Sequence, residues 1–207
     1  MTKIKICGIK TPQDALAAVD AGAELVGFNF YPRSPRFIDV ETCSEISRNL
    51  RERYPQVTRV GVFVNAPVEF VKSMLKACSL DLAQLHGDET FEEVISLEGQ
   101  AYKAFRGIPE ENLDPYLRKD APVFLLDASV SGKYGGTGIA TDWSAASELA
   151  KKYDFLLAGG LTPKNVGDAI RKVHPWGVDV ASGVESSPGI KDIAKIKAFV
   201  KAVESAG

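Results

Sequence analysis

Short apolar segments alternate with amphipathic ones along the whole chain, and this alternation restricts the fold more than any other feature. The apolar runs are KIKIC (3–7), ELVGFNF (24–30), TRVGVFV (58–64), LDLAQL (80–85), AYKAF (101–105), PVFLLD (122–127), DFLLAG (154–159) and GVDVA (177–181). Such runs are typical of parallel strands buried on both faces and joined by right-handed crossovers. Eight β-then-α units predict an α/β protein, a compact closed (β/α)8 TIM barrel. An open doubly wound sheet is the alternative, but it normally has fewer units, and no G-x-G-x-x-G follows any run.

The segments between the runs carry helix signals. Thr-Pro pairs at 11–12 and 162–163 each offer a capping hydroxyl and a proline for the first helical position. The fifth crossover, residues 106–121, contains two prolines and predicts only a short or irregular helix. In the last segment, apolar residues recur at helical spacing at Ile193, Ile196, Val200 and Val203.

Composition indicates one domain over residues 1–207, in a reducing cytoplasmic compartment. With 45% hydrophobic residues the chain can build one sizeable core, and a net charge of −2 without long charge runs favours neither nucleic acid nor a membrane surface as a partner. Three widely spaced cysteines do not form a disulfide framework, and two histidines without a C-x-x-C pair give no structural zinc pattern. The first ten residues lack a signal-peptide core, and no apolar run approaches the ~20 residues that span a bilayer. A soluble protein is expected.

Polar residues and glycines stand where the predicted strands end, and in a (β/α)8 barrel those ends form the active-site mouth. Gly159 and Gly160 follow the seventh run, and Ser182 and Gly183 follow the eighth. Glycines there let backbone N–H groups approach a phosphate, although glycines also simply end strands. Because both sites lie where barrels commonly hold phosphate, we predict a phosphate site. The segment GKYGGTG (132–138) lacks P-loop order and is interpreted as a mobile loop, a candidate lid over the mouth.

Two arginines, Arg33 and Arg36, lie in the proline-bracketed loop YPRSPR after the second run. A guanidinium held in such a loop can bind a carboxylate through two parallel hydrogen bonds. A lone arginine is more often a solvated surface residue, and the flanking prolines make Arg36 the better candidate.

Cys7 and Asp127 each end a strand, and together they suggest acid–base chemistry. Separately, Cys7 could be a packed core thiol and Asp127 a cap or turn residue. Across one barrel mouth, the two could act as general base and general acid if their pKa values move from the references of ~8.5 and ~3.9. Lys5 shares the strand parity of Cys7, so it could lie beneath the thiol and favour the thiolate. His86 is either a site residue or a buried, hydrogen-bonded imidazole.

Several blocks, in order along essentially the whole chain, resemble the phosphoribosylanthranilate isomerase family of tryptophan biosynthesis. They are KICGIKTPQDA, GFNFYPRSPRFI, GVFVN, LAQLHGDE, FLLDA, GGTG followed by DW, LAGGLTPKNV, and GVDVASGVES ending in GIKD. The resemblance implies an Amadori rearrangement of N-(5-phosphoribosyl)anthranilate to the carboxyphenylamino-deoxyribulose phosphate. Such an internal aldose-to-ketose shift needs no nucleotide, metal or flavin, so no cofactor is expected.

The resemblance also implies roles for individual residues. Cys7 matches the general base, Asp127 the general acid and Arg36 the residue that binds the anthranilate carboxylate. Asp179 and His86 match positions that line the site. The phosphate loops contain Gly159, Gly160, Ser182 and Gly183. Many relatives have a second serine where this chain has Ala181, which leaves only Ser182 to help with a side chain. The expected partner is a small phosphosugar substrate, and the chain could be a monomer or a homodimer.

Two other functions use the same loops. A metal-dependent epimerase needs a multi-histidine site that two histidines make hard to build, and a Schiff-base aldolase would depend on Lys103, the one strand-end lysine offered as a candidate. A non-catalytic phosphosugar-binding protein is the remaining alternative, and the presence of both Cys7 and Asp127 argues against it.

Overall fold

The computed structural model describes residues 1–109, 112–116, 120, 122–127 and 143–207. Eight parallel strands close into a barrel in the order β1 to β8, with β8 pairing back to β1. The strands are β1 Lys3–Cys7, β2 Leu25–Asn29, β3 Thr58–Phe63, β4 Leu82–Leu85, β5 Ala101–Arg106, β6 Phe124–Asp127, β7 Phe155–Ala158 and β8 Gly177–Val180. Each lies within the predicted run or within one residue of it, so the predicted (β/α)8 barrel is confirmed.

Helices pack around the outside of the barrel. They are α1 Pro12–Ala21, α2 Val40–Arg53, α3 Val68–Ala77, α4 Phe91–Ile95, α5 Trp143–Ala150, α6 Val166–Val173 and α7 Ile193–Glu204. A short hairpin of β9 Glu185–Ser187 and β10 Ile190–Lys191 follows β8. In the fifth crossover, the residues that the structure describes contain one 3-10 turn, Asp114–Tyr116, as the prolines predicted. Among the described residues, no helix is long and apolar enough to cross a membrane.

The two Thr-Pro signals have different outcomes. Thr11 caps α1, and its hydroxyl accepts from the N–H of Asp14, as predicted. At residues 162–163 the hydroxyl of Thr162 accepts from the N–H of Lys164 at 3.3 Å, but Pro163 is not the first helical residue, because α6 begins only at Val166. Asn165 folds its side chain back to accept from the N–H of Thr162 and to donate to the carbonyl of Gly160, which makes this segment a turn.

Strand parity divides the core into two layers. Outward-facing residues such as Ile4 and Ile6 pack against the helices, while Leu25, Val60 and Leu125 fill the inside of the barrel. The stripe predicted for α7 is buried except at Ile193, which is 47% exposed at the first position of the helix. Burial of these two layers is the main driving force for folding, and it orients the polar strand-end residues towards the mouth.

Candidate active site

A cavity of about 430 Å³ opens at the carboxyl ends of the strands. It brings together all but one of the residues to which the family resemblance assigned a role. Those lining it are Cys7, Arg36, His86, Asp127, Gly159, Gly160, Asp179 and Ser182, with Asn29, Val62, Val64, Gln84, Ala158, Leu161, Val180 and Ala181 between them. The exception, Gly183, directly follows Ser182. The arrangement follows from parity, because inward-facing residues at the strand ends must share the mouth.

Cys7 ends β1 with its side chain turned inward and only 7% of the residue exposed. Burial raises the pKa of its thiol, and the nearby ammonium of Lys5 opposes this effect without overcoming it. Lys5 therefore has the position and the influence that strand parity predicted. The balance differs from the expectation of a favoured thiolate, since desolvation outweighs the positive charge in this structure.

Gly8 explains why a glycine follows the cysteine. Its φ of +79° lies in the left-handed region, and a Cβ at this position would stand 2.6 Å from Cδ of Arg36. The bare glycine backbone thus lets the aliphatic part of Arg36 lie across the end of β1. The loop after β2 can then bring the guanidinium to the cavity beside Cys7.

Arg36 already binds a carboxylate of the protein itself, a contact that the sequence analysis did not predict. Its Nε and Nη2 donate to the two oxygens of Glu185 at 2.8 and 2.7 Å. Glu185 also accepts from Lys191 Nζ at 2.9 Å. The hydrogen bonds that Arg36 donates to Glu185 raise the pKa of its guanidinium. Arg33, the other arginine of the loop, is exposed, and the structure does not bring it to the cavity.

Glu185 and Lys191 are site residues that the sequence reasoning missed. Both are buried, at 6% exposure each, on the hairpin that follows β8. Burial disfavours the charge of Glu185, but its hydrogen bonds from Arg36 and Lys191 outweigh this and lower its pKa. Their signal was present in the quoted blocks GVES and GIKD, where Glu185 stands two residues after the phosphate-loop Gly183 and Lys191 two residues after Gly189.

A polar network forms the floor of the cavity inside the barrel. The fully buried Lys5 donates to Oδ1 of Asp179 at 2.9 Å and to Oε1 of Gln84 at 2.8 Å. Tyr102 also donates to Oε1 of Gln84, at 3.0 Å. Burial disfavours the charged form of Lys5, but the Asp179 carboxylate and its other neighbours outweigh this, so its pKa is raised. The charged form of Lys5 is therefore favoured beneath the thiol.

His86 connects this floor to Asp127. Nδ1 of His86 is 2.7 Å from Nε2 of Gln84, and Nε2 of His86 is 3.7 Å from Oδ2 of Asp127. The side chains of His86 and Asp127 are 24% and 23% exposed, so both face the cavity rather than the core. The imidazole is thus hydrogen-bonded and also lies at the site, which combines the two interpretations that the sequence left open.

The glycine-bearing loops after β7 and β8 lie against each other. A Cβ on Gly183 would collide with the carbonyl oxygen of Leu161, so only a glycine permits this close approach. The contact brings the 3-10 turn Ser182–Val184 to the loop that contains Gly159 and Gly160. The two predicted phosphate loops therefore form one continuous edge of the cavity.

Lys103 does not lie in this cavity. Its Nζ donates to Glu89 and to the carbonyl of Gly87, both at 2.7 Å, in a separate cleft between β5 and the loop after β4. A lysine paired in this way lacks the free amine that a Schiff base requires. The candidate lid, residues 132–138, lies outside the described residues.

Comparison with known proteins agrees with the geometry. Residues 4–202 match the model of a family described as N-(5'phosphoribosyl)anthranilate (PRA) isomerase. A relative named N-(5'-phosphoribosyl)anthranilate isomerase, from Geotalea uraniireducens, is 47% identical over 201 residues, which are 97% of this chain and 98% of the relative.

Solved structures give the same result. The phosphoribosyl anthranilate isomerase of Thermotoga maritima has a TM-score of 0.87 and 39% identity, covering 99% of this chain and 100% of the other. A phosphoribosyl anthranilate isomerase in complex with reduced 1-(o-carboxyphenylamino)-1-deoxyribulose 5-phosphate has a TM-score of 0.84 and 37% identity, with coverage of 99% and 100%. The chain therefore belongs to the phosphoribosylanthranilate isomerase family and is an isomerase of tryptophan biosynthesis.

Proposed function

We propose that this isomerase converts N-(5-phosphoribosyl)anthranilate to 1-(2-carboxyphenylamino)-1-deoxyribulose 5-phosphate with Cys7 as general base and Asp127 as general acid. The observation that carries the proposal is the shared cavity, which combines a thiol, a carboxyl, a guanidinium and a glycine-lined edge. These are the groups needed to move protons on a substrate that has a carboxylate at one end and a phosphate at the other.

The reaction starts when Asp127 gives its proton to the ring oxygen. The bond from C1′ to that oxygen breaks, and the nitrogen lone pair forms the C1′–N double bond of a Schiff base. Cys7 thiolate then takes the proton from C2′, and the electron pair of that C–H bond forms an enolamine. Ketonisation adds a proton at C1′ and removes one from the C2′ hydroxyl, so the two protonation states of the enzyme are restored overall.

Binding of the substrate would use two groups of residues in the cavity. Gly159, Gly160, Ser182 and Gly183 would hold the phosphate, because bare glycine backbone allows close approach of N–H groups to an anion. Arg36 would hold the anthranilate carboxylate. Two of its nitrogens are bound by Glu185, so the substrate would meet Nη1 and the outer side of Nη2.

The partner is a small phosphosugar, and the chain would act as a monomer or a homodimer. A solved structure of monomers generated from the dimeric isomerase of Thermotoga maritima has a TM-score of 0.83 and 37% identity over 99% of both chains. Light scattering at several protein concentrations distinguishes the two states.

The experiment is substitution of each proton-transfer group in turn. General acid and base catalysis each contribute ~10²- to 10⁴-fold, so Cys7→Ser and Asp127→Asn should each lower kcat by about that factor. Serine keeps the volume of cysteine but is far too weakly acidic to act as the base. Turnover is followed by the loss of substrate fluorescence, with folding checked by circular dichroism.

Cys78→Ser is the matched control. Cys78 is also buried, at 1% exposure, but it lies at the end of α3, where its thiol donates to the carbonyl of Val40. A hydroxyl can make the same bond, so this variant should retain its turnover. Near-wild-type turnover in a folded Cys7→Ser variant would overturn the assignment of the base.

A further inference from the structure

The amide of Gln84 has only one orientation that satisfies its neighbours. Lys5 Nζ and Tyr102 Oη approach one amide atom, at 2.8 and 3.0 Å. An ammonium can only donate, so that atom must be the oxygen. The NH2 group of Gln84 is therefore the atom 2.7 Å from Nδ1 of His86.

This orientation fixes the tautomer of His86. An amide NH2 group can only donate, so Nδ1 of His86 must accept and carries no hydrogen. The ring hydrogen of a neutral imidazole is then on Nε2, the atom 3.7 Å from Oδ2 of Asp127. A second hydrogen on Nδ1 would place two donors face to face across 2.7 Å.

We propose that Gln84 is a positioning residue, which holds His86 in the Nε2–H tautomer so that an N–H group faces the general acid. The proposal rests on the role of Asp127 in the proposed function. Once Asp127 has given its proton to the ring oxygen, it is a carboxylate, and an N–H group beside it stabilises that charge. In the opposite tautomer, Nε2 would present a lone pair that competes for the acidic proton.

The backbone of His86 is held independently of its ring. Its N–H donates to the carbonyl of Phe63 at 2.8 Å, and its carbonyl accepts from Nη2 of Arg106 at 3.2 Å. These bonds place the residue at the end of β4 but do not decide which ring nitrogen has the hydrogen. Gln84 does so, and a shift of less than 1 Å would bring Nε2 into hydrogen-bond distance of Asp127, as often happens on substrate binding.

The tautomer can be measured directly by ¹⁵N NMR of the histidine rings. The chain has two histidines, and His174→Asn removes the other signal. His174 ends α6 in the left-handed conformation, at φ 54°, which asparagine tolerates. At neutral pH we expect an unprotonated Nδ1 and a protonated Nε2 for His86. A protonated Nδ1, or a mixture of tautomers, would overturn the proposal even if no further variant could be purified.

Gln84→Glu tests the functional consequence. Glutamate keeps an oxygen acceptor for Lys5 and Tyr102 but replaces the donor at His86 with an acceptor, so Nδ1 must carry a hydrogen. The same ¹⁵N NMR measurement separates a ring that has lost the hydrogen of Nε2 from an imidazolium that retains it. Where Nε2 has lost its hydrogen, we expect kcat to fall about 10- to 100-fold with KM little changed, the scale known for the outer partners of metal-bound histidines. An imidazolium, which keeps Nε2–H, should retain most of its turnover. In the control Tyr102→Phe, Lys5 still fixes the amide, so the tautomer and most of the activity should remain.

The two proposals fail in different ways. If Gln84→Glu moves the hydrogen to Nδ1 while kcat is unchanged, the positioning role is wrong. If Asp127→Asn retains full activity while the wild-type tautomer is as expected, the assignment of the general acid fails and the tautomer assignment stands.

Discussion

Replacement of Glu185 by glutamine tests how much the carboxylate that binds Arg36 and Lys191 contributes to stability and to substrate binding. Glu185 accepts from Arg36 Nε and Nη2 and from Lys191 Nζ at 2.8, 2.7 and 2.9 Å. The side chain of Glu185 is 3% exposed and that of Lys191 is 0% exposed. Glutamine keeps one acceptor oxygen but removes the charge, which leaves a buried ammonium with the carbonyl of Ala181, at 3.0 Å, as a neutral acceptor.

The expected loss of stability follows from this burial. Removal of one partner of a buried ion pair typically costs about 3–5 kcal/mol, and the oxygen that glutamine retains places this variant near 3 kcal/mol. In chains of this size, 1 kcal/mol corresponds to roughly 2–4 °C, so Tm should fall by about 6–12 °C. KM should rise as well, because the guanidinium of Arg36 is no longer fixed by two bonds.

Urea denaturation, followed by fluorescence and circular dichroism together, measures the free energy of unfolding. The matched control is Glu69→Gln, since Glu69 pairs with Lys72 at 3.2 Å but its side chain is 85% exposed. Exposed pairs contribute about 1 kcal/mol or less, so this variant should resemble wild type. If Glu185→Gln loses no more stability than Glu69→Gln, the reasoning from burial is refuted.

The pH dependence provides a second test of the same carboxylate. The pKa of Glu185 is lowered on folding, because the hydrogen bonds from Arg36 and Lys191 outweigh its desolvation. Its contribution is therefore present above the unfolded pKa of about 4.3 and is lost as the pH falls through the lower folded value. The stability difference between wild type and Glu185→Gln should be full at neutral pH and shrink in acid. A difference that does not change down to pH 2 would contradict the lowered pKa.

Three further predictions concern the cavity. Arg36→Lys should lower kcat/KM by a factor that corresponds to about 1–3 kcal/mol of lost transition-state binding, because an ammonium cannot bind both Glu185 and a substrate carboxylate as a planar guanidinium can. An unchanged kcat/KM in steady-state kinetics would contradict this. Gly183→Ala should destabilise the fold by about 1–3 kcal/mol and weaken binding of a phosphate analogue in calorimetry, because its Cβ meets the Leu161 carbonyl. Burial raises the pKa of Cys7, so kcat/KM should still increase with pH in alkaline solution. Lys5→Met should move this rising part of the pH profile to higher pH, because the ammonium lowers the pKa of the thiol. A pH profile that Lys5→Met leaves unchanged would exclude an influence of the ammonium on the base.

Much of the fold could be predicted because local patterns determine it. A run such as FLLD between helical segments can be little else than a buried parallel strand, and each observed strand lies where its run predicted. The start of α6 could not be predicted in this way. Thr162 and Pro163 fit a helix start, but Asn165 forms side-chain bonds to Thr162 and Gly160 that favour a turn. This competition between two local structures is decided by geometry that the sequence alone does not show.

Some features of the candidate site could also be predicted from the sequence, and others could not. Strand parity was sufficient to place Cys7 above Lys5, and chain order was sufficient to place the two glycine loops side by side. The partner of Arg36 was not predictable by spacing, because Glu185 is 149 residues away and reaches it only through the closed barrel. The pKa of Cys7 also depends on a balance between burial and charge, and a residue pattern gives the signs of these effects but not their relative size.

Three lysines in or near the barrel mouth are buried together with carboxylate partners. Lys5, Lys103 and Lys191 are each at least 94% buried, and each donates to one carboxylate and at least one neutral oxygen. Their carboxylate partners are Asp179, Glu89 and Glu185. Apolar side chains of similar volume would often stabilise a barrel equally well or better, so stability alone does not account for three such pairs. Two of them adjoin the groups that we propose for catalysis and carboxylate binding: Lys5 sets the charge beneath Cys7, and Lys191 with Glu185 fixes Arg36. The third ties β5 to the loop after β4 through the carbonyl of Gly87, the residue that follows His86. The buried charges of Lys5, Lys191 and Glu185 therefore hold the proposed catalytic and binding side chains in place. Burial of the two apolar layers offsets the free-energy cost of desolvating these charges.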